Sequence, residues 1–397
     1  MKRVVAVGTV GKDEHVKIDS VRMLPEPFQK FLRKTVPLSR IEELYGEGWT
    51  PKRAFDALKR RAVGPVSYSY GGRAPHVAYG IALLGGPVTL VTSFGEDYDE
   101  PYPGFFGGGY VSHLKRAGVE MSETRLSLPE DKWRDGSAPR YLRANYGDAL
   151  ARSSAVVVEG KVTSTITCVK DLDGIDFFYL DDVNGAATIE RWRPVPSEVV
   201  KSSDIVFVTS SEMEFMKGAV DQAYQYGKTV VVDVASYGVT PEYLRHVTPR
   251  STAILGNESE VRQVLDAFEI KRVEELFDVH EAFPAFVAVE DKFAGTVDLY
   301  SRKEKARRRI GPVGIRKTGS STGVCDAIAV GILAALQRDL TIVEGAAAGL
   351  VEGSSVWQVE GVQEGLLGRD EFVKRFEAEF GPSLGGDAAE RIRKSFR

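Results

Sequence analysis

Short runs of apolar residues alternate along the chain with longer amphipathic segments. Val-rich runs are typical of strands buried on both faces, and amphipathic segments are typical of the helices that cover them. The predicted strands are residues 4–7, 88–92, 205–209, 229–233, 253–255 and 286–289. The predicted helices are residues 75–84, 110–117, 212–226, 258–268 and 326–337. This alternation predicts a three-layer α/β/α fold around a doubly wound, mostly parallel sheet.

Three segments depart from the alternation. Residues 163–169 and 176–180 predict a hairpin, with Asp173-Gly174 as its turn, that projects from the main sheet as a small β lid. Residues 24–60 are polar and mixed, and predict a helical insertion. Residues 369–397 are charged and predict a C-terminal helical extension.

Composition is ordinary for a globular protein, with 397 residues of which 43% are hydrophobic and 27% are charged. A net charge of -4 gives no electrostatic reason to expect a nucleic-acid partner. The basic stretch 302–309 is the exception. We interpret it as a solvated loop or hairpin, with a phosphate-facing patch as the alternative.

Cysteine usage and apolar runs indicate the compartment. Cys168 and Cys325 lie far apart and lack metal-ligand spacing, which argues against a disulfide framework and a structural zinc site. The N-terminal residues predict a first strand rather than a signal peptide, and no run approaches the roughly 20 apolar residues of a membrane helix. A cytoplasmic protein is therefore expected. The scarcity of asparagine and glutamine favours a thermophilic source.

The stretch 317–336 combines a small, glycine-containing loop with a long apolar helix that begins near Asp326. A helix N-terminus offers free backbone N–H groups and a positive dipole end, which stabilise a developing anion. A carboxylate in the first turn can accept a proton from a substrate hydroxyl. The alternative is that Asp326 only caps a buried helix.

A second element lies at residues 64–86, where Gly71 and Gly72 precede a helix with an apolar face. Paired glycines allow a ligand to approach the backbone closely, and His76 lies at the start of this helix. Upstream, Gly8 and Asp13 follow the first strand, which places a carboxylate where a polyhydroxy ligand can be held.

The order of these elements resembles the PfkB (ribokinase-like) family of sugar and nucleoside kinases, from Val4 to about Leu366. The sequence VVAVGTVGKDEHVKID is similar to the first strand of the family, and GGRAPHVAYGIALLGGPVTLVTSFGED to its first signature. ILGNESE resembles the Asn-x-x-Glu motif, and STGVCDAIAVGILAAL resembles the second signature. The resemblance implies one ribokinase-like domain over residues 1–397, with lid elements at about 13–22, 63–70 and 160–182.

The resemblance also implies an activity and its residues. The γ-phosphoryl group of a nucleotide, ATP or alternatively ADP or another nucleotide, would move to a hydroxyl of a sugar or nucleoside, with Mg²⁺ as cofactor. The implied catalytic residues are Asp326 as base and Gly323, Val324 and Cys325 in the anion hole. The implied acceptor-binding residues are Asp13, Gly71, Gly72 and His76. The implied nucleotide-binding residues are Thr322, Lys292 and Gly295. Asn257 and Glu260 would act on magnesium indirectly, through water or phosphate, and a homodimer through the lid is expected.

Several positions differ from the family pattern. His76 stands where the family usually has asparagine, and Val324 and Cys325 replace small residues of the anion-hole turn. Ser320 replaces an acidic residue, and Lys292 replaces a glycine beside the nucleotide. These changes leave open a second function, a ligand-binding or regulatory protein that has kept the fold and lost catalysis.

Three further positions resemble simpler functional motifs. Cys325 at a helix N-terminus can be an activated thiol, but a small buried side chain is the preferred interpretation. Residues 107–109 form a glycine run without the Gly-Lys-Ser/Thr that a phosphate-binding loop requires, and predict a flexible turn. His76 has no second metal ligand at helical spacing.

Overall fold

The computed structural model describes residues 1–20, 22, 53, 56, 58–101, 108–134, 137–171, 176–180, 185–234, 239–279, 284–304, 306–314, 319, 321–359, 361–384 and 386–396. Most of the predicted insertion at 24–60, the Asp173-Gly174 turn, Gly107 and Ser320 lie outside these residues.

The strands and helices alternate over most of the chain. The strands are β1 (Val4–Val7), β2 (Gly11–Ile18), β3 (Ser67–Gly71), β4 (Val88–Gly95), β5 (Glu123–Leu126), β6 (Ala155–Val158), β7 (Thr165–Asp171), β8 (Asp176–Leu180), β9 (Ile205–Val208), β10 (Thr229–Asp233), β11 (Ala253–Asn257), β12 (Phe286–Asp291), β13 (Thr296–Ser301) and β14 (Ala306–Ile310). The α-helices are α1 (Arg73–Leu83), α2 (Tyr110–Ala117), α3 (Glu130–Arg134), α4 (Ala138–Arg152), α5 (Ser197–Lys201), α6 (Met213–Gln225), α7 (Pro241–Val247), α8 (Glu258–Ala267), α9 (Val273–Val279), α10 (Val324–Gln337), α11 (Ile342–Val356), α12 (Arg369–Leu384) and α13 (Gly386–Phe396).

The large sheet has ten strands in the order β14-β13-β12-β11-β10-β9-β1-β4-β6-β5. Strands β12 to β5 in this order are parallel, and β13 and β14 add an antiparallel edge. The mostly parallel, doubly wound sheet is therefore confirmed. Because the strands are parallel, their carboxyl ends meet at one edge, where α/β proteins commonly bind ligands.

A smaller sheet of four strands has the order β3-β2-β7-β8. Its antiparallel pair β7 and β8 confirms the strands of the predicted hairpin. Strand β2 pairs with β3 and with β7, so this sheet joins the segment after the first strand to the hairpin. Its function as a lid remains a prediction.

Two hydrophobic cores cover the two faces of the large sheet. Residues of β1 alternate between them, with Val4 and Ala6 in one core and Val5 and Val7 in the other. The first core packs α1, α10 and α11, and the second packs α6, α7 and α8. This alternation explains why an all-apolar run is a strand buried on both faces.

Helices α10 and α11 pack closely because glycines face each other across their interface. A Cβ on Gly331 would lie 2.1 Å from the backbone N of Gly349, and a Cβ on Gly349 would lie 2.4 Å from the carbonyl of Ile328. This contact fixes α10, whose N-terminus lies at the carboxyl edge of the sheet. None of the described helices has both the length and the apolar character of a membrane-spanning segment.

Glu352 is a fully buried carboxyl group on α11. Its Oε2 accepts a hydrogen bond of 3.0 Å from the backbone N–H of Leu367, and its Oε1 has no hydrogen-bond partner. Burial raises the pKa of Glu352 to about 8 from its ordinary value of 4.5. The folded protein therefore binds this proton more tightly than the unfolded chain does.

We expect Glu352→Gln to remove a pH dependence of stability. Glu352 should contribute a fall of about 1.4 kcal/mol per pH unit in the free energy of unfolding between its two pKa values, because its ionisation is favoured in the unfolded chain. Asp13, Asp233 and Glu290, whose pKa values burial also raises, add to the slope of the natural protein. Urea unfolding at several pH values between 5 and 8 measures this slope. An unchanged slope in the variant would contradict the assignment.

Candidate active site

The N-terminus of α10 is shaped by Gly323, which has φ 79 in the left-handed region. A Cβ at this position would lie 2.7 Å from Val362 Cγ1 and 2.9 Å from His76 Cε1. Glycine is therefore required both by conformation and by space. Asp326 lies in the first turn of α10, and its side chain is 12% exposed. Thr322, Gly323 and Cys325 are half-buried.

The turn between β3 and α1 comes close to Asp13. Gly72 has φ 91, and a Cβ on Gly71 would lie 1.8 Å from Asp13 Oδ1. A side chain at either glycine would displace the carboxyl group of Asp13 or strain the turn. The absence of side chains at Gly71 and Gly72 therefore leaves room for the carboxyl group of Asp13 beside this turn.

Asp13 and His76 are buried polar groups with unmet hydrogen-bonding capacity. Both ring nitrogens of His76 and the Oδ1 atom of Asp13 lack a hydrogen-bond partner. Burial lowers the pKa of His76 to about 4, so the ring is neutral at pH 7. Burial, and then the carboxyl groups of Asp326 and Glu364, hold the pKa of Asp13 well above its ordinary value. Buried polar groups without hydrogen-bond partners lower the stability of the fold, and a bound ligand can supply the missing partners.

Arg73, the first residue of α1, links three carboxyl groups. Its Nη1 lies 3.0 Å from Asp233 Oδ2, and its Nη2 lies 3.1 Å from Glu260 Oε1. Its Nε lies 3.7 Å from Asp326 Oδ1. Sequence reasoning missed Arg73 and Asp233. Two features of the sequence could have identified them as site residues. Arg73 directly follows the glycine pair, and Asp233 ends a predicted strand.

Asn257 and Glu260 form a capping box at the start of α8. Glu260 Oε2 accepts a hydrogen bond of 2.9 Å from Asn257 N, while its Oε1 is engaged by Arg73. Asn257 Oδ1 accepts from the N–H groups of Ser259 and Glu260. No group of three His, Cys, Asp or Glu side chains among the described residues is arranged to hold a metal ion. Both carboxylate oxygens of Glu260 and the Oδ1 atom of Asn257 already accept hydrogen bonds, so these two residues do not fit direct magnesium ligation. Their indirect role stays a prediction.

Buried Glu290 and half-buried Cys325 form a pair beside the α10 N-terminus. The Cys325 thiol donates a hydrogen bond to the carboxyl group of Glu290, whose pKa burial holds well above its ordinary value. Burial, and then Glu290, hold the pKa of Cys325 well above its ordinary value. A protonated thiol is the opposite of an activated nucleophile, so this pairing does not favour the activated-thiol interpretation of Cys325, and its preferred interpretation stays a prediction.

Lys292 and Gly295 lie in the turn after β12. Lys292 Nζ donates a hydrogen bond of 3.1 Å to Ser321 Oγ, in the segment that leads into α10. Gly295 has φ 67, and its carbonyl accepts from the N–H of Val313. Lys292 therefore lies at the N-terminus of α10. The hydrogen bond of Gly295 instead joins it to Val313, in the segment that follows β14.

A hydrogen-bonded chain ties the segment after α11 to the glycine turn. The Tyr110 hydroxyl donates to the carbonyl of Gly71 and accepts from Gln363 Nε2 at 3.1 Å. Gln363 Oε1 lies 3.0 Å from His113 Nε2. Since burial lowers the pKa of His113 to about 4, the neutral ring donates here. None of these residues carries a sequence motif that predicts this network.

Comparison with solved structures identifies the fold. A nucleoside kinase of Methanocaldococcus jannaschii superposes with a TM-score of 0.69 at 17% identity, over 96% of this chain and 99% of that chain. A nucleoside kinase of Burkholderia thailandensis, solved in complex with inosine, gives 0.67 at 15% identity, over 96% and 98%. The chain has a ribokinase-like fold. Arabidopsis thaliana ribokinase, complexed with ribose and ATP, is similar at 0.61 and 16% identity, over 95% and 99%.

These ribokinase-like neighbours are nucleoside and ribose kinases, and their identities of 15% to 17% establish the fold alone. No family model matches the chain, and no curated protein sequence matches it. In the ribokinase-like fold of this chain, four residues that the sequence analysis named as candidate site residues lie together at the carboxyl edge of the sheet: Asp13, Gly71, His76 and Asp326.

Proposed function

We propose that this protein transfers the γ-phosphoryl group of a nucleotide, with ATP as the first candidate, to a hydroxyl group of a sugar or nucleoside. The observation that carries the proposal is the position of Asp326 in the first turn of α10, beside the left-handed Gly323 and next to the unpartnered side chain of His76. A proton acceptor and backbone N–H groups then face the same reacting atoms.

Asp326 accepts the proton of the acceptor hydroxyl as its oxygen attacks the γ-phosphorus. The new bond joins the acceptor oxygen to phosphorus, and the bond to the β,γ-bridging oxygen breaks, so the nucleotide diphosphate leaves with that electron pair. The N–H groups of residues 323–326 stabilise the charge on the phosphoryl oxygens. Asp13, Gly72 and His76 position the acceptor, in keeping with the unmet hydrogen-bonding capacity of Asp13 and His76.

Lys292 and Thr322 bind the donor phosphates in this proposal. The ammonium group of Lys292 lies beside the positive end of the α10 dipole, an arrangement that an anion between them would stabilise. Lys292 therefore holds the nucleotide rather than blocking it. Magnesium would enter with the nucleotide and supply charge neutralisation, and no described residue is assigned to it directly.

The small sheet would exclude water during transfer. Lys170 Nζ on β7 donates a hydrogen bond of 3.2 Å to the carbonyl of Gly319, just before the α10 loop. The small sheet thus contacts the segment that carries the proposed anion hole. Water that reached the γ-phosphoryl group would compete with the acceptor.

The test is phosphoryl transfer by purified protein. Radiolabelled ATP, and in parallel ADP, is incubated at elevated temperature with a panel of nucleosides and free sugars, and labelled products are separated. We expect one acceptor class to be phosphorylated well above hydrolysis by water. If no acceptor is phosphorylated but a panel compound raises the melting temperature, a binding or regulatory protein replaces this proposal.

A further inference from the structure

Gln363 is a buried side chain in the segment that follows α11. Its Nε2 donates a hydrogen bond of 3.1 Å to the Tyr110 hydroxyl, and its Oε1 lies 3.0 Å from His113 Nε2. The segment is anchored to α11, because the backbone N–H of Leu367 donates to Glu352 Oε2 at 3.0 Å. The amide group of Gln363 is therefore held at both its atoms, in a segment that is itself fixed.

The hydrogen bonds of Gln363 run in one direction, towards Gly71. A tyrosine hydroxyl has one hydrogen, and Tyr110 donates it to the carbonyl oxygen of Gly71, which can only accept. The Tyr110 oxygen therefore accepts from Gln363 Nε2. Gln363 Oε1 then faces His113 and accepts from its ring. The resulting chain begins at His113 and ends at the Gly71 carbonyl.

The donor end of this chain is fixed by aromatic contacts. The His113 ring stacks on Tyr70 and on Tyr79, with centroid distances of 4.0 and 4.4 Å. Tyr70 directly precedes Gly71 at the end of β3. Both ends of the hydrogen-bonded chain therefore contact the last two residues of β3.

The segment that carries Gln363 contacts both glycine turns of the proposed site. A Cβ on Gly71 would lie 1.8 Å from Asp13 Oδ1, so the carboxyl group of Asp13 lies against the Gly71 backbone. Val362 precedes Gln363, and a Cβ on Gly323 would lie 2.7 Å from its Cγ1. The segment therefore sets the Asp13 side of the site relative to the N-terminus of α10.

We propose that Gln363 is a positioning residue, which holds the Gly71 carbonyl and the adjoining Asp13 carboxyl group in place relative to the α10 N-terminus. This inference rests on the proposed function, in which Asp13 positions the acceptor and the N–H groups of residues 323–326 stabilise the phosphoryl oxygens. Phosphoryl transfer needs the acceptor oxygen aligned with phosphorus, and a small displacement lowers the rate strongly. Hydrolysis by water does not need an aligned acceptor, so it should depend less on Gln363.

The experiment measures phosphoryl transfer and nucleotide hydrolysis side by side, with the acceptor found by the panel of nucleosides and sugars. The ratio of the two rates does not depend on the fraction of folded protein, so a loss of stability alone leaves it unchanged. Gln363→Leu, which removes the amide group at similar size, should lower this ratio at least about tenfold and raise the acceptor KM. The KM for the nucleotide should stay the same.

Two further single variants and one double variant test the chain of hydrogen bonds. Tyr110→Phe removes only the hydroxyl group and interrupts the same chain, so it should lower the ratio similarly. The double variant with Gln363→Leu should fall no further than either single variant, because effects within one network are not additive. Gln337→Leu is the matched control, since it removes another buried amide that donates two hydrogen bonds of 2.9 Å at the opposite end of α10. Its ratio should equal that of the natural protein.

Equal ratios for Gln363→Leu and Gln337→Leu would overturn the inference while the kinase proposal stands, and so would additive losses in the double variant. If Gln363→Leu does not fold, Tyr110→Phe decides by the same comparison. If the natural protein phosphorylates nothing, the kinase proposal fails, and the affinity of a compound that raises its melting temperature replaces the ratio. That affinity should fall at least about tenfold in Gln363→Leu and stay unchanged in Gln337→Leu, and equal affinity in both overturns the inference. If no compound binds, both proposals fail.

Discussion

Turnover of the protein with Asp326→Asn is expected to fall about a thousand-fold, because asparagine cannot accept the proton of the attacking hydroxyl. Removal of a positioned general base typically lowers rates by about 10² to 10⁴. The backbone N–H groups of residues 323–326 remain, so nucleotide and acceptor should still bind. The measurement is kcat by single-turnover transfer, combined with nucleotide affinity by calorimetry.

The thermal stability of this variant is its control. Asp326 has a long contact of 3.7 Å with Arg73, which keeps two shorter partners, so Asp326→Asn should unfold close to the natural protein. A folded variant with near-normal turnover would reject Asp326 as the base. Loss of nucleotide binding together with turnover would instead indicate a structural effect at the helix N-terminus.

Arg73→Met is expected to produce the largest loss of stability. Removal of one partner from a buried ion pair typically costs about 3–5 kcal/mol, because the remaining charge is left unpaired in a poorly solvated place. Here Asp233 and Glu260, which are both buried, lose their cation together. Urea unfolding at pH 7 measures the loss. The loss should be smaller at pH 5, where the unpaired carboxyl groups take up protons.

Arg309→Met provides a comparison at an exposed site. Arg309 pairs with Asp298 on the sheet edge, its side chain is 55% exposed, and Arg307 also contacts Asp298. Solvent screens such pairs, so only a small change in unfolding free energy is expected. Equal losses for the two variants would show that Arg73 does not compensate buried charge. Activity of Arg73→Met should fall as well, since Asp326 loses one of its contacts.

Much of the α/β fold follows from local patterns. The run 4–7 is apolar at every position, which favours a strand buried on both faces, and its residues do enter both cores. Gly71 and Gly72 end a strand and begin a helix because of their conformational freedom, which is a property of the residues themselves. The prediction that α10 begins near Asp326 was two residues late, since helix ends depend on contacts as well as on pattern.

The sequence by itself determined the strands and helices that the alternation predicted and the glycine turns that precede α1 and α10, because these depend on side-chain periodicity and backbone freedom within a few residues. It did not predict β5, β6, α4 or α11. Only the tertiary structure decided that Arg73 joins Asp233, Glu260 and Asp326, that Lys292 contacts Ser321, and that Gln363 reaches Tyr110. Parallel strands bring residues far apart in the chain to one edge. Which charges then meet depends on strand order and helix packing, which are not encoded in any single segment.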